Sequence, residues 1–259
     1  MKKHRFLLII SLLLAGSAAQ AQEYRTKLSG KDRKVVIEMQ HGSEVTVEGY
    51  DGDELIIKGD NAEEAPKRAE GLRPVYNSAV DNTRIGLAVT KEANTVRIVK
   101  ASRQDGHYTI RVPRSADVVY REMQWGGGNV VLQNLQGKLE VMMKSSDAKM
   151  LNVAGPVVAS STSGDITVRY TSLGTGPSAI TNISGAIDVA LPTATKASLM
   201  MRTISGEVYT DFDMSMPKSA NSSGLTQIGG QTLNGAINGG GTSISLKNVS
   251  GDVYVRKAK

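Results

Sequence analysis

A Ser-Gly pair followed, after one further residue, by Ile or Val recurs through the second half of the chain. It stands in "STSGDITVRY" (161–170), "TNISGAIDVAL" (181–191), "RTISGEVYTDF" (202–212) and "KNVSGDVYVRK" (247–257). Aligned on the glycine, six copies fall at Gly137, Gly164, Gly185, Gly206, Gly235 and Gly251, with spacings of 27, 21, 21, 29 and 16 residues. Two places after the glycine are Leu139, Ile166, Ile187, Val208, Ile237 and Val253; four places after are Val141, Val168, Val189, Thr210, Gly239 and Val255. Two places before stand Leu135, Thr162, Ile183, Ile204, Leu233 and Val249, and seven places before stand Val130, Val157, Ser178, Leu199, Ile228 and Ile244. Polar residues fill the gaps, notably Ser163, Ser184, Ser205 and Ser250 before the glycine and Asp165, Glu207 and Asp252 after it.

Alternation with period two marks strands with one buried face. A repeat near 20 residues marks units that cannot bury that face alone and must stack. The expected unit is strand, tight turn, strand. Glycine takes the sharp bend, at a positive φ that it alone adopts freely, and the adjoining Ser or Asn bonds the local backbone. The residue two places on points inward and stacks on its equivalent one rung along, ~4.8 Å away, so the copies are expected to stack in chain order. The fold class expected is all-β, a β-solenoid: a single-stranded, parallel, β-helix-like coil of right-handed winding, with a two-sheet β-sandwich as the alternative.

The remaining chain supplies ends and punctuation. Residues 1–21 have a basic start (Lys2, Lys3, Arg5), an apolar run from Phe6 to Leu14 and a small-x-small site at Ala19-Gln20-Ala21. This reads as a cleaved signal peptide, its apolar run being too short for a membrane span. Its removal takes away three of the 31 basic residues against 25 acidic ones, leaving a near-balanced surface and none of the basic concentration a nucleic-acid face needs. No later stretch is long and apolar enough for a transmembrane helix, and with no cysteine there is no disulfide, thiol nucleophile or lipid-bearing Cys. Residues 22–122 are expected to be an irregular β region that caps and continues the coil, with strands in 35–59 and 107–113. Residues 123–259 are the repeat coil, interrupted by an excursion at 211–224 and closed by the charged "VRKAK", which guards the final edge.

The motifs at 160–168, 180–192 and 201–213, the Gly-rich closing segment 233–257 and the stretch "GLRPVYNSAVDNTRIGLAV" (71–89) resemble the putative-adhesin family of bacterial β-strand-repeat proteins, a domain of unknown function, in its Bacteroidetes-type form. The resemblance covers most of the mature chain. It implies surface exposure and partner binding, and it brings no catalytic residues to carry over.

Candidate chemistry is sparse. Asp165 and Glu207 hold the same turn position, two rungs apart if the copies stack in order, which places their carboxylates roughly 10 Å from each other. Inverting glycosidases use a separation of about 6.5–9.5 Å, but no cluster of Arg, Tyr or Trp stands nearby in the sequence to grip a sugar. Solvated turn carboxylates are the expected reading. His41 and His107 lack partners at metal-ligand spacing, and His4 leaves with the signal peptide. "NGGGTS" (238–243) lacks the lysine and helix of a phosphate loop, and reads as a tight corner. Trp125, in "WGGGN", either stacks on a sugar or plugs a core end. Asn134, Asn182 and Asn248, each three places before a glycine, are expected to form a ladder from rung to rung; Asn182, Asn221 and Asn248 match the glycosylation pattern only incidentally. No catalytic residue, metal ligand or cofactor is therefore assigned.

The functional expectation is a non-catalytic exported protein of a Gram-negative bacterium, periplasmic, surface-held or secreted. It would be an adhesin or envelope scaffold whose partner is a protein or glycan of the envelope or surface, not nucleic acid. A carbohydrate-active β-helix enzyme and a periplasmic sensor or regulatory partner are the alternatives.

Overall fold

The structure, a computed structural model, describes residues 22–28, 33–40, 42–59, 68, 72, 79–215 and 232–258. The signal peptide, His4, His41, Asn221, Ile228 and most of 61–78 and 216–224 lie outside the described residues.

The described residues form twenty-one strands and no α-helix. The first eight are β1 (Gln22–Lys27), β2 (Lys34–Met39), β3 (Ser43–Tyr50), β4 (Glu54–Gly59), β5 (Leu87–Glu92), β6 (Thr95–Lys100), β7 (Gly106–Pro113) and β8 (Asp117–Glu122). Next come β9 (Val130–Gln133), β10 (Leu139–Met142), β11 (Ala148–Val153), β12 (Val157–Ser163), β13 (Ile166–Tyr170), β14 (Ser178–Ser184) and β15 (Ile187–Leu191). The chain ends through β16 (Ala197–Arg202), β17 (Val208–Thr210), β18 (Met214–Ser215), β19 (Thr232–Ile237), β20 (Thr242–Ser250) and β21 (Val253–Lys257).

Two sheets, mostly parallel, share one core. The first has the order β1-β4-β7-β3-β9-β11-β13-β15-β21-β17 and the second β18-β19-β16-β20-β14-β12-β10-β8-β2-β6-β5. From β8 to β17 the chain steps alternately between them, and each strand pairs in parallel within its sheet. The connectivity is that of a flattened coil, while the two faces meet like those of a sandwich.

The inward ladder is in register. Ala148, Ile166, Ile187, Val253 and Val208 pair in turn across the first sheet, and Val118, Leu139, Val157, Ser178, Ile244 and Leu199 occupy one row of the second. Burying each Val or Ile contributes about 1.5–3 kcal/mol. Ser178, the polar member, is provided for: its Oγ accepts from the Val157 amide at 3.1 Å and from the Tyr170 hydroxyl at 3.0 Å. Burial pushes the Tyr170 phenol up to about 12.

Four expectations are corrected. The first is the stacking order. The final rung, β20–β21, is inserted between β14–β15 and β16–β17, so the glycine corners run Gly164, Gly185, Gly251, Gly206. All rungs carry the same aliphatic ladder, which says what stacks but not upon which copy. The closing strand is consequently interior, and "VRKAK" guards no edge; β17 and the β18–β19 side end the two sheets.

The second concerns glycine register. Gly164, Gly185, Gly206 and Gly251 do have positive φ. A β-carbon on Gly185 would also come within 2.4 Å of the Gly164 carbonyl oxygen, and one on Gly251 within 2.3 Å of that of Gly185. Gly137 instead sits at the opposite corner, below Gly155, and Ser146 takes its supposed place under Gly164. Gly235 lies within β19, which pairs antiparallel with β16.

The third is a matter of parity, since period two carried unbroken through the aligned rows would turn Ile183, Ile204 and Val249 inward with the ladder. In β14 Ser178, Ile180 and Asn182 face inward, so a residue two before the glycine must face out. Ile183, Val249 and Ile204 are accordingly exposed by 49%, 41% and 51%. Fourth, Asn134 follows β9 at the other corner and meets Asn152 there (3.2 Å), apart from the buried Asn182 and Asn248.

Candidate functional site

The glycine corners are held by two sets of polar bonds between rungs. Three places before the glycine, Asn182 Nδ2 donates to the Gly164 carbonyl (2.9 Å), Asn248 Nδ2 to that of Gly185 (2.8 Å), and Thr203 Oγ1 to that of Gly251 (2.9 Å). One place after the glycine, or after the residue that stands in its place in the stack, an Asp or Asn side-chain oxygen serves the next backbone amide. Asn129 Oδ1 accepts from Asp147 N (3.1 Å), Asp147 Oδ1 from Asp165 N (2.8 Å), Asp165 Oδ1 from Ala186 N (2.8 Å) and Asp252 Oδ1 from Glu207 N (2.9 Å). The Glu207 amide and the Tyr254 hydroxyl together hold the Asp252 carboxyl below its usual value.

Asp165 and Glu207 do not come together. With Gly185 and Gly251 between their corners, they are three rungs apart, roughly 14 Å, and Asp165 is committed to a backbone amide. His107 lies opposite Glu44, with Nε2 to Oε2 at 3.3 Å. Among the described residues no group of three or more His, Cys, Asp or Glu is placed to hold a metal ion. Trp125 is 59% exposed and plugs nothing. The 238–241 segment is a turn from β19 past the end of β16 to β20, pinned by Asn238 Nδ2 on the carbonyls of Thr193 (3.0 Å) and Thr195 (2.8 Å).

The feature sequence reasoning missed is an aromatic and charged cluster on the outer face of the first sheet. Register places Thr167, Asp188, Tyr254 and Tyr209 in one outward row, with Arg169, Ala190 and Arg256 in the next. Tyr209 and Tyr254 stack with ring centroids 5.3 Å apart and planes at 12°. Arg169 grips both oxygens of Asp188 (2.8 and 3.0 Å), while Arg256 Nε reaches Oδ1 of the same carboxylate at 3.1 Å. The Arg256 guanidinium also lies 5.3 Å from the centre of the Tyr254 ring. Tyr254 donates its hydroxyl to Asp252 Oδ2 (2.9 Å), which raises the phenol's pKa.

Below the rings, Asp211 Oδ1 accepts from the Lys257 amide (2.8 Å), which fixes the carboxylate at the strand end. A hollow of about 350 Å³ opens between Tyr209, Asp211, Tyr254 and Arg256, at the lower end of the size range for small-molecule sites. Each tyrosine is three places after a motif glycine. That coincidence is visible in the sequence, but the rows two and four places on carry the ladder and conceal it. What the sequence hid is that the two copies are neighbours. A smaller hollow of about 170 Å³ lies further along the same sheet, by Glu44, Lys58 and His107. Among the described residues no helix is long and apolar enough to cross a membrane.

A family model described as Toastrack DUF4097 matches residues 126–256. Among solved structures, the chain is similar to a putative cell adhesion protein from Clostridium sporogenes, 8% identical over 92% of this chain and 100% of that one, TM-score 0.47. It is also similar to a putative adhesin from Bacteroides fragilis, 13% identical over 93% and 98%, TM-score 0.29. A third is a putative lipid binding protein from Parabacteroides distasonis, 10% identical over 93% and 98%, TM-score 0.28. No curated protein matches the chain.

Proposed function

The chain belongs to the Toastrack DUF4097 family, and from that premise we propose that it is an exported, non-catalytic binding protein of the cell envelope, an adhesin or scaffold. The observation that carries this is the stack of half-exposed Tyr209 on part-buried Tyr254 on the outer face of the first sheet, flanked by fixed guanidinium and carboxylate groups. Stacked strands hold such groups at constant spacing without a conformational change, which suits recognition. The separation of Asp165 from Glu207 supports the non-catalytic reading, and the N-terminal signal pattern of the sequence supports export to the periplasm or surface. We take residues 22–122 as the capping region and the winding as right-handed, the hand that crossovers between parallel strands adopt.

The experiment has two parts: protease treatment of intact against lysed cells, and binding of the exported, purified chain to isolated envelopes. Recovery outside the cytoplasm with saturable envelope binding, weakened at least tenfold by Tyr209→Ala, is the expected result. A cytoplasmic protein, or one with no saturable binding, would overturn the proposal.

A further inference from the structure

We propose that the Tyr209–Tyr254 cluster is a subsite for a neutral saccharide, one pyranose ring stacking on Tyr209 and its hydroxyls bonding Arg256 and Asp211. This rests on the binding function proposed above and names the ligand class of that site.

Three observations point to a sugar. The first is the ring face. Tyr209 is half exposed, Tyr254 covers one side of it, and among the described residues no strand lies beyond β17. Its other side is thus presented at the sheet edge, held rigid by the stack. A pyranose has one face of axial C–H bonds, weakly positive, which suits the negative face of an aromatic ring.

The second is the polar equipment. A sugar presents neighbouring hydroxyls that donate and accept together, so it needs a planar donor and a carboxylate acceptor in one hollow. Arg256 and Asp211 both line it. Each is oriented in advance, Arg256 through Asp188 (3.1 Å) and Asp211 through the Lys257 amide (2.8 Å), so little side-chain entropy is lost on binding.

The third is charge. Around the hollow Arg169 and Arg256 both pair with Asp188, the Tyr254 hydroxyl bonds Asp252, the Lys257 amide bonds Asp211 and the Lys257 ammonium lies 5.6 Å from the centre of the Phe212 ring, so three bases stand among three acids. An anionic ligand would compete with Asp188 for both arginines and face two further carboxylates. A cationic ligand would meet three bases. A neutral polyhydroxylated ligand disturbs no pair. An extended peptide adding to β17 is the competing occupant; that edge is only three residues long and offers few backbone bonds, whereas the side-chain cluster is elaborate.

The test is affinity electrophoresis of the exported chain in native gels cast with mannan, dextran, mixed-linkage β-glucan or, as the acidic control, polygalacturonate. We expect retardation by at least one neutral polysaccharide, lost at least tenfold in Tyr209→Ala and Asp211→Ala. Retardation should persist in Tyr209→Trp and in Trp125→Ala, and every variant should still unfold cooperatively within a few degrees of the parent, because all the altered side chains are exposed and Asp211→Ala forfeits only the bond from the Lys257 amide. No retardation by any neutral polysaccharide, retardation by polygalacturonate alone, or retardation that survives Tyr209→Ala would overturn the proposal. If the saccharides fail but Tyr209→Ala still abolishes envelope binding, the ligand class is wrong and the binding function stands. If saturable envelope binding is absent as well, the binding function falls too.

Discussion

Asp252 Oδ1 accepts a hydrogen bond from the Glu207 amide at 2.9 Å across 45 residues of chain. It is the bond that Asp147 makes to Asp165 and Asp165 to Ala186, here joining the last rung to one formed earlier. The same insertion brings Tyr254 against Tyr209, so the candidate site exists only because the coil is completed out of chain order.

The clamp series has a gap. Ala186 has no side-chain acceptor to offer the amide of Asp252, its neighbour in the stacked corners. Ala186→Asn should fill it, as Asn129 does for Asp147, and stabilise the chain by about 0.5–1.5 kcal/mol. Asn avoids setting a third carboxylate between Asp165 and Asp252. A urea midpoint unchanged or lowered in this variant would show that the clamps contribute nothing.

Parity makes opposite predictions for two isoleucines that look alike in the sequence. Ile187 is wholly buried in the ladder and Ile204 is half exposed. Ile187→Ala should cost about 2–5 kcal/mol, while Ile204→Asp should stay within about 0.5 kcal/mol of the parent. Chemical denaturation of the two variants decides it, and equal losses would contradict the register.

These cases show what was legible. The spacing of Ile166, Ile187 and Val253 announced strands, corners and the inward ladder, because burial imposes period two on any such coil. The rung order was not legible, since every copy satisfies the same ladder and the choice falls to local bonds such as Asn248 to Gly185 and Thr203 to Gly251. Gly137 matched the motif from the wrong corner because both corners bring backbone close to backbone. The tyrosine cluster was illegible because it depends on that order: nothing along the chain marks the copies carrying Tyr209 and Tyr254 as neighbours.

Glu122 gives a pH dependence. It is buried at the end of β8, which by itself would raise its carboxyl. Hydrogen bonds from the amides of Lys144 (2.6 Å), Ser145 (3.1 Å) and Gly127 (3.0 Å), and from the Ser145 hydroxyl (2.9 Å), outweigh burial and hold it below the ordinary 4.5. A carboxyl depressed in the folded state stabilises above its unfolded value, and that contribution is lost as pH falls from about 4.5 through the folded value. Glu122→Gln should therefore cost about 1–3 kcal/mol at pH 7 and flatten the loss of stability below pH 4.5. Parallel pH profiles of parent and variant would contradict this.

The insertion of the last rung is tested most directly by paired cysteines, since the chain has none of its own. Met200 pairs with Ser245, and Ser245 with Ala179, so Met200 and Ala179 are two strands apart, ~9.6 Å, beyond the reach of a disulfide, which needs Cα atoms about 4.4–6.8 Å apart. Under mild oxidation, a chain carrying Met200→Cys with Ser245→Cys should form an intramolecular disulfide, and one carrying Ala179→Cys with Met200→Cys should not. The reverse pattern would mean that the copies stack in chain order, that Tyr254 does not adjoin Tyr209, and that the binding site described above does not exist.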